Sequence, residues 1–144
     1  MSTRSTTHFM DSGHSQGGCP IVYRHTDGYP EGAGKDLIRF LEICRSLNDS
    51  RLEDPEYLAA RYVVFLAGIY THGSERLDFL SVGVVSEDPG DIEYRDVVDC
   101  REIGKNGLPE VTCWHIERTN RREHLQMAAI PGYRANGKGK GGAP

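Results

Sequence analysis

The chain has 144 residues, 38% hydrophobic and 26% charged, which is enough for one modest core and leaves little length for a second domain. Residues 118–144 carry six Lys or Arg against one acid (+5) and the remainder eleven against twenty (−9), so the net charge of −4 describes an acidic body with a basic tail. That balance argues against a conventional DNA reader, which needs a basic face, and limits any nucleic-acid contact to the tail. No apolar run is long enough to span a bilayer, and no apolar stretch follows the charged start as in a secretory signal, so the expectation is a cytoplasmic protein with no membrane partner.

In chain order, residues 6–10 alternate around Phe9 and read as a short strand, and 21–25 read as a second, with a Ser/Gly/His/Gln loop over 11–18 between them. Thr26-Asp27-Gly28-Tyr29-Pro30-Glu31-Gly32-Ala33-Gly34 is turn chemistry: Asp-Gly bends the chain, Tyr-Pro forces an extended step, and the later glycines keep the backbone permissive. Leu37, Phe40, Leu41, Cys44 and Leu47 recur at helical spacing and form one apolar stripe. A second helix starts at Asp54-Pro55-Glu56, where an N-cap, a first-position proline and an acid in the first turn coincide, and ends near Thr71-His72-Gly73. Its inner stripe is Leu58, Tyr62, Phe65, Leu66 and Ile69.

The second half reads as β: residues 77–85, then a Asp88-Pro89-Gly90-Asp91 turn, then an alternating run from Ile92 to Cys100, and a strand over 111–116. Residues 125–130 are expected to dock as a short helix or strand. The expected fold is α+β, a small antiparallel sheet packed against two helices in the order ββααβββ. Residues 1–130 form the single domain and 131–144 a flexible Gly/Lys-rich tail.

The cysteines, Cys19, Cys44, Cys100 and Cys113, include no C-x-x-C pair. Cys100 and Cys113 fall on neighbouring predicted strands, where two buried free thiols are favoured over a bond or a metal site. His8, His25 and His115 also lie on predicted strands, and scattered histidines of this kind are more often structural than metal-ligating. The chain shows no G-x-S-x-G elbow, no H-E-x-x-H and no Cys–His nucleophile signature.

The most specific stretch runs from Tyr23 through Leu37, a Tyr-x-His-x-Asp-Gly-Tyr-Pro-Glu-Gly segment leading into a helix. Together with Ser2-Thr3-Arg4-Ser5-Thr6 it resembles a family of small, largely uncharacterised proteins of bacteriophages and bacteria, most sharply over about the first forty residues. Asp78-Phe79-Leu80-Ser81-Val82-Gly83 and Asp91-Ile92-Glu93-Tyr94 also look like the family. The resemblance implies a phage or mobile-element context, hence a host-cell cytoplasm, and carries over no agreed activity.

Physically, the segment gathers Arg24, His25, Asp27, Tyr29, Glu31 and Lys35 in one short turning piece of chain, and these six are the candidate ligand-binding residues. A glycine-rich turn before a helix can offer backbone N–H groups to an anion, although Glu31-Gly32-Ala33-Gly34-Lys35-Asp36 is not a P-loop: the glycine spacing is wrong and Asp36 replaces the magnesium-holding Ser or Thr. The plain alternative is a rigid turn with Arg24 and Glu31 paired at the surface. No catalytic residue, metal ligand or cofactor is assigned. Residues 75–102 hold nine acids and three arginines, a face able to imitate nucleic-acid phosphates toward a basic groove, or simply a solvated sheet face.

Three functions compete. The preferred one is a non-enzymatic phage or mobile-element accessory protein that binds a host defence protein or sequesters a nucleotide signal. The second is a small enzyme acting on a phosphorylated or nucleotide substrate, with Arg24 and Lys35 holding the anion and His25 and Asp27 moving a proton. The third is a structural accessory protein whose exposed strand edge pairs with another copy.

Overall fold

The computed structural model describes residues 2–11 and 18–133. Among them, strands β1 (Ser5–Met10) and β2 (Ile21–Arg24) precede helices α1 (Lys35–Ser46) and α2 (Pro55–Thr71), and strands β3 (Val82–Val85), β4 (Tyr94–Ile103), β5 (Pro109–Thr119) and β6 (Arg122–Ala128) follow. One turn of π-helix, Pro30–Gly34, leads into α1, and a 3-10 turn, Leu77–Phe79, precedes β3.

Local chemistry sets the helices. The Asp54 carboxylate accepts from the Tyr57 N–H at 3.2 Å, Pro55 occupies the first position, and His72 and Gly73 close α2 in left-handed conformations. In α1 the stripe Leu37, Phe40, Leu41 and Cys44 is buried. Both helices lie on one face of the sheet, where Tyr62 meets Phe9 edge-on at 5.7 Å between ring centres and Phe40 at 5.0 Å.

The sheet corrects the expected order. It has six strands among the described residues, arranged β3-β2-β1-β4-β5-β6, and β1 pairs with β4 in parallel while every other pair is antiparallel. The stretch expected to be a single strand over 77–85 begins instead as the 3-10 turn, and the basic-to-apolar segment 122–128 completes a hairpin with β5. Because β3 lies at one edge and β4 beyond β1, the Asp88-Pro89-Gly90-Asp91 segment is a crossover, not a hairpin turn. It must pass two strands, and it does so on the face away from the helices, where Asp88 reaches Thr6, His8 and Arg95 and Ile92 is fully buried.

Period-two alternation sorts the side chains. Thr7, Phe9, Val22, Arg24, Asp96, Val98, Val111 and Cys113 face the helices; Thr6, His8, Tyr23, Arg95 and Trp114 face the crossover. Cys113 stands opposite Asp96 while Cys100 lies further along β4, so these two thiols are not a facing pair, and all four cysteines are free. Ile130 is buried and Tyr133 packs against the same core. The remainder of the expected tail, 134–144, and most of the 11–18 loop lie outside the described residues. Among the described residues, no helix is long and apolar enough to cross a membrane.

Candidate functional site

Alternation at the end of β2 divides the six candidate residues. Arg24 points into the helix-side interior and is 5% exposed. Its Nη1 donates to Asp36 Oδ2 at 2.7 Å, its Nε donates to the Thr26 carbonyl at 2.9 Å and to the Tyr70 hydroxyl at 2.8 Å, and the guanidinium lies over the Tyr70 ring. It therefore ties the end of β2 to α1 and α2. Lys35, next to Asp36, is exposed, as is Glu31. Arg24 and Glu31 do not pair, since Asp36 holds the guanidinium.

His25 turns to the opposite side. Its Nδ1 lies 2.8 Å from the Tyr23 hydroxyl and accepts from Arg4 Nε at 3.3 Å. A guanidinium can only donate, so Nδ1 is the acceptor and the neutral ring carries its proton on Nε2. Asp27, in a left-handed conformation, accepts instead from the Tyr29 hydroxyl at 3.2 Å, an interaction that raises the Tyr29 phenol above its ordinary value. The Asp27 carbonyl also receives the Ala33 N–H at 2.8 Å and so closes the π-turn. His25 and Asp27 thus have different partners.

Two segments about twenty residues apart in sequence meet here. The Gly28 N–H donates to the Thr3 carbonyl at 2.9 Å, and Arg4 adds an ion pair to Asp91 at 2.7 Å. The Arg4 carbonyl receives the Glu93 N–H at 2.9 Å, so the crossover joins the same place. The Ser-Thr-Arg start, the Asp-Gly-Tyr-Pro turn and residues 91–93 form one junction. Gly28 is required by closeness: an added Cβ would sit 2.8 Å from Ser5 Cβ and 2.9 Å from the Arg4 carbonyl carbon. Gly28→Ala is expected to lower the unfolding free energy by about 1–3 kcal/mol in urea titration, through overpacking against main chain. Arg4 and Tyr23 complete the junction and were missing from the candidate set. The Ser-Thr-Arg motif hinted at Arg4, and the Tyr-x-His segment that Tyr23 opens hinted at Tyr23, but neither motif says that the two side chains meet at His25.

A second polar cluster lies on the crossover face. Asp88, with 11% of its side chain exposed, accepts from the Thr6 hydroxyl at 2.6 Å and bonds His8 Nε2 at 2.8 Å, with Arg95 closing the other side. Burial alone would raise its pKa, but His8, Thr6 and Arg95 outweigh burial and hold it down at about 2. Cys19 Sγ lies 3.6 Å from His8 Nδ1. On the helix face, Asp96 is 1% exposed, and neither carboxylate oxygen has a hydrogen-bond partner; burial raises its pKa to about 7, against the weaker pull of Cys113 and Arg24. Ser5 Oγ and the Tyr62 hydroxyl are likewise buried and unpaired.

His8 lies on the crossover face, whereas His115 faces the helix side against the Tyr94 ring, so the three strand histidines do not converge. Among the described residues no group of three or more His, Cys, Asp or Glu is arranged to hold a metal ion. No protein-family model, no curated protein and no solved structure matches this chain. What the structure defines is the class: an α+β protein with a six-stranded mixed sheet among the described residues, carrying two helices on one face and a crossover loop on the other.

Proposed function

We propose that this chain is an accessory protein of a phage-like element that works by binding, and that its binding surface is the junction of the Ser-Thr-Arg start with the Asp-Gly-Tyr-Pro turn. The observation that carries the reading is the convergence itself. The two segments on which the phage-family resemblance rests are joined through Thr3–Gly28 and Arg4–His25. An uninvolved turn would not need the start of the chain. Around the junction stand the exposed acids Asp27, Glu31, Asp91 and Glu93, with His25 offering an N–H. This charge favours a basic surface on a host protein, a defence protein being the case in view. Sequestering a nucleotide is the second reading, favoured by the Arg4 guanidinium and the Tyr23 hydroxyl, which meet at His25 Nδ1.

The test is capture from host lysate with tagged chain, run beside Arg4→Ala, His25→Ala and an Asp91→Arg/Glu93→Arg double variant. One host protein should be retained by the wild type, released by moderate salt, and lost by tenfold or more with the double variant, as expected for electrostatic recognition. A thermal-shift panel of linear and cyclic nucleotides separates the second reading, because a ligand at 100 times its Kd adds about 2.7 kcal/mol of stability. Capture that ignores both the charge reversal and Arg4→Ala, with no nucleotide shift, would count against the proposal.

A further inference from the structure

The crossover brings together a set of reactive groups that the binding reading does not use. Of the four thiols, Cys44, Cys100 and Cys113 are buried, and only Cys19 is partly exposed. Its sulfur is 3.6 Å from His8 Nδ1, and His8 Nε2 is 2.8 Å from Asp88 Oδ1. An ionised carboxylate can only accept, so the neutral His8 ring keeps its proton on Nε2 and aims the Nδ1 lone pair at the thiol. Asp88 is itself fixed by Thr6 and Arg95. A nucleophile, a base and a carboxylate that orients the base, in hydrogen-bonded sequence, are the parts that activated thiols and hydroxyls require.

We infer that Cys19 is a nucleophile served by His8 as general base, with Asp88 as the positioning residue, and that it accepts an acyl group from an ester or thioester. Burial first, and the Asp88 charge after it, push the Cys19 thiol up, opposed by a backbone hydrogen bond, so the resting sulfur is protonated and needs a base during attack. In the step, the Cys19 S–H proton passes to His8 Nδ1 while the sulfur bonds to the carbonyl carbon and the carbonyl pair moves onto oxygen. The pair then re-forms the carbonyl, the bond to the leaving oxygen or sulfur breaks, and that atom takes the proton from His8. The products are acyl-Cys19 and a free alcohol or thiol.

The experiment treats the reduced full-length chain with p-nitrophenyl acetate and locates the acetyl group by peptide mass mapping. Cys19 should be acetylated at least about tenfold faster than glutathione at the same pH, and His8→Gln should slow it by about 100-fold with an unchanged circular dichroism spectrum. Iodoacetamide alkylation of Cys19 should fall in parallel. Acetylation of Cys19 no faster than that of glutathione overturns the inference, as does a folded His8→Gln chain that reacts at the wild-type rate. If His8→Gln does not fold, the comparison of wild type with glutathione decides alone.

Discussion

Arg24→Ala should lower the unfolding free energy by about 3 kcal/mol, the lower end of the loss that follows when one member of a buried ion pair is removed, because Arg24 is buried and Asp36 keeps some access to solvent. Asp36, half-buried in the first turn of α1, would be left without its partner, and the Tyr70 hydroxyl and Thr26 carbonyl would each lose a charged donor. The double replacement Arg24→Met/Asp36→Leu should recover much of the loss, because an apolar pair of similar volume removes the stranded charge. Urea unfolding of the three chains measures this. A stable Arg24→Ala chain that has lost only its partner or ligand would instead make Arg24 a binding residue, the role its place beside His25 in the sequence first suggests.

The second large effect concerns Asp96, whose folded pKa of about 7 lies above the ordinary 3.8. The folded state therefore holds a proton that the unfolded state gives up. Its contribution to stability is fully present below the unfolded value and disappears as pH rises through the folded one. Three pKa units correspond to about 4 kcal/mol, so wild-type stability should decline by that order between roughly pH 4 and pH 8. Asp88 acts at the other end: its pKa is lowered to about 2, so its contribution is present above the ordinary carboxylate value and is lost as pH falls through about 2. Stability should consequently be greatest in mildly acidic solution. Asp96→Asn, neutral at every pH, should flatten the decline, with urea titrations across the range as the measurement. A wild-type curve no steeper than that of Asp96→Asn would show that burial does not govern this carboxyl.

Legibility followed the range of the physics. The limits of α2 are written in contiguous chemistry, Asp54-Pro55 at one end and His72-Gly73 at the other, and could be read directly. The stripe of α1 was equally local. The crossover was not: Asp-Pro-Gly-Asp bends the chain in the same way whether the next strand pairs with the last one or passes it. What decides is that β1 takes β4 as its second neighbour, a pairing some ninety residues apart in sequence. The last strand, 122–128, was legible only as a helix-or-strand segment over 125–130, because its burial hardly alternates, being an edge whose side chains mostly meet solvent.

The site divided along the same line. The turn around Asp27–Gly28 was evident, yet the side each residue would take depended on where β2 ends, and a shift of one position would exchange Arg24 with His25. An arginine is rarely fully buried, so nothing short of Asp36 and Tyr70 coming together placed Arg24 inside. The set Cys19, His8 and Asp88 spans three chain segments, with the partners of His8 lying 11 and 80 residues away, and no local motif could have carried it.

Hydrogen–deuterium exchange of the chain, alone and saturated with the host protein captured from lysate, tests the junction as a binding surface most directly. Protection should concentrate on residues 3–5, 23–29 and 91–93, the three segments joined through Arg4, His25 and Gly28. Protection confined to β5 and β6, with those three segments exchanging as in the free chain, would contradict the account.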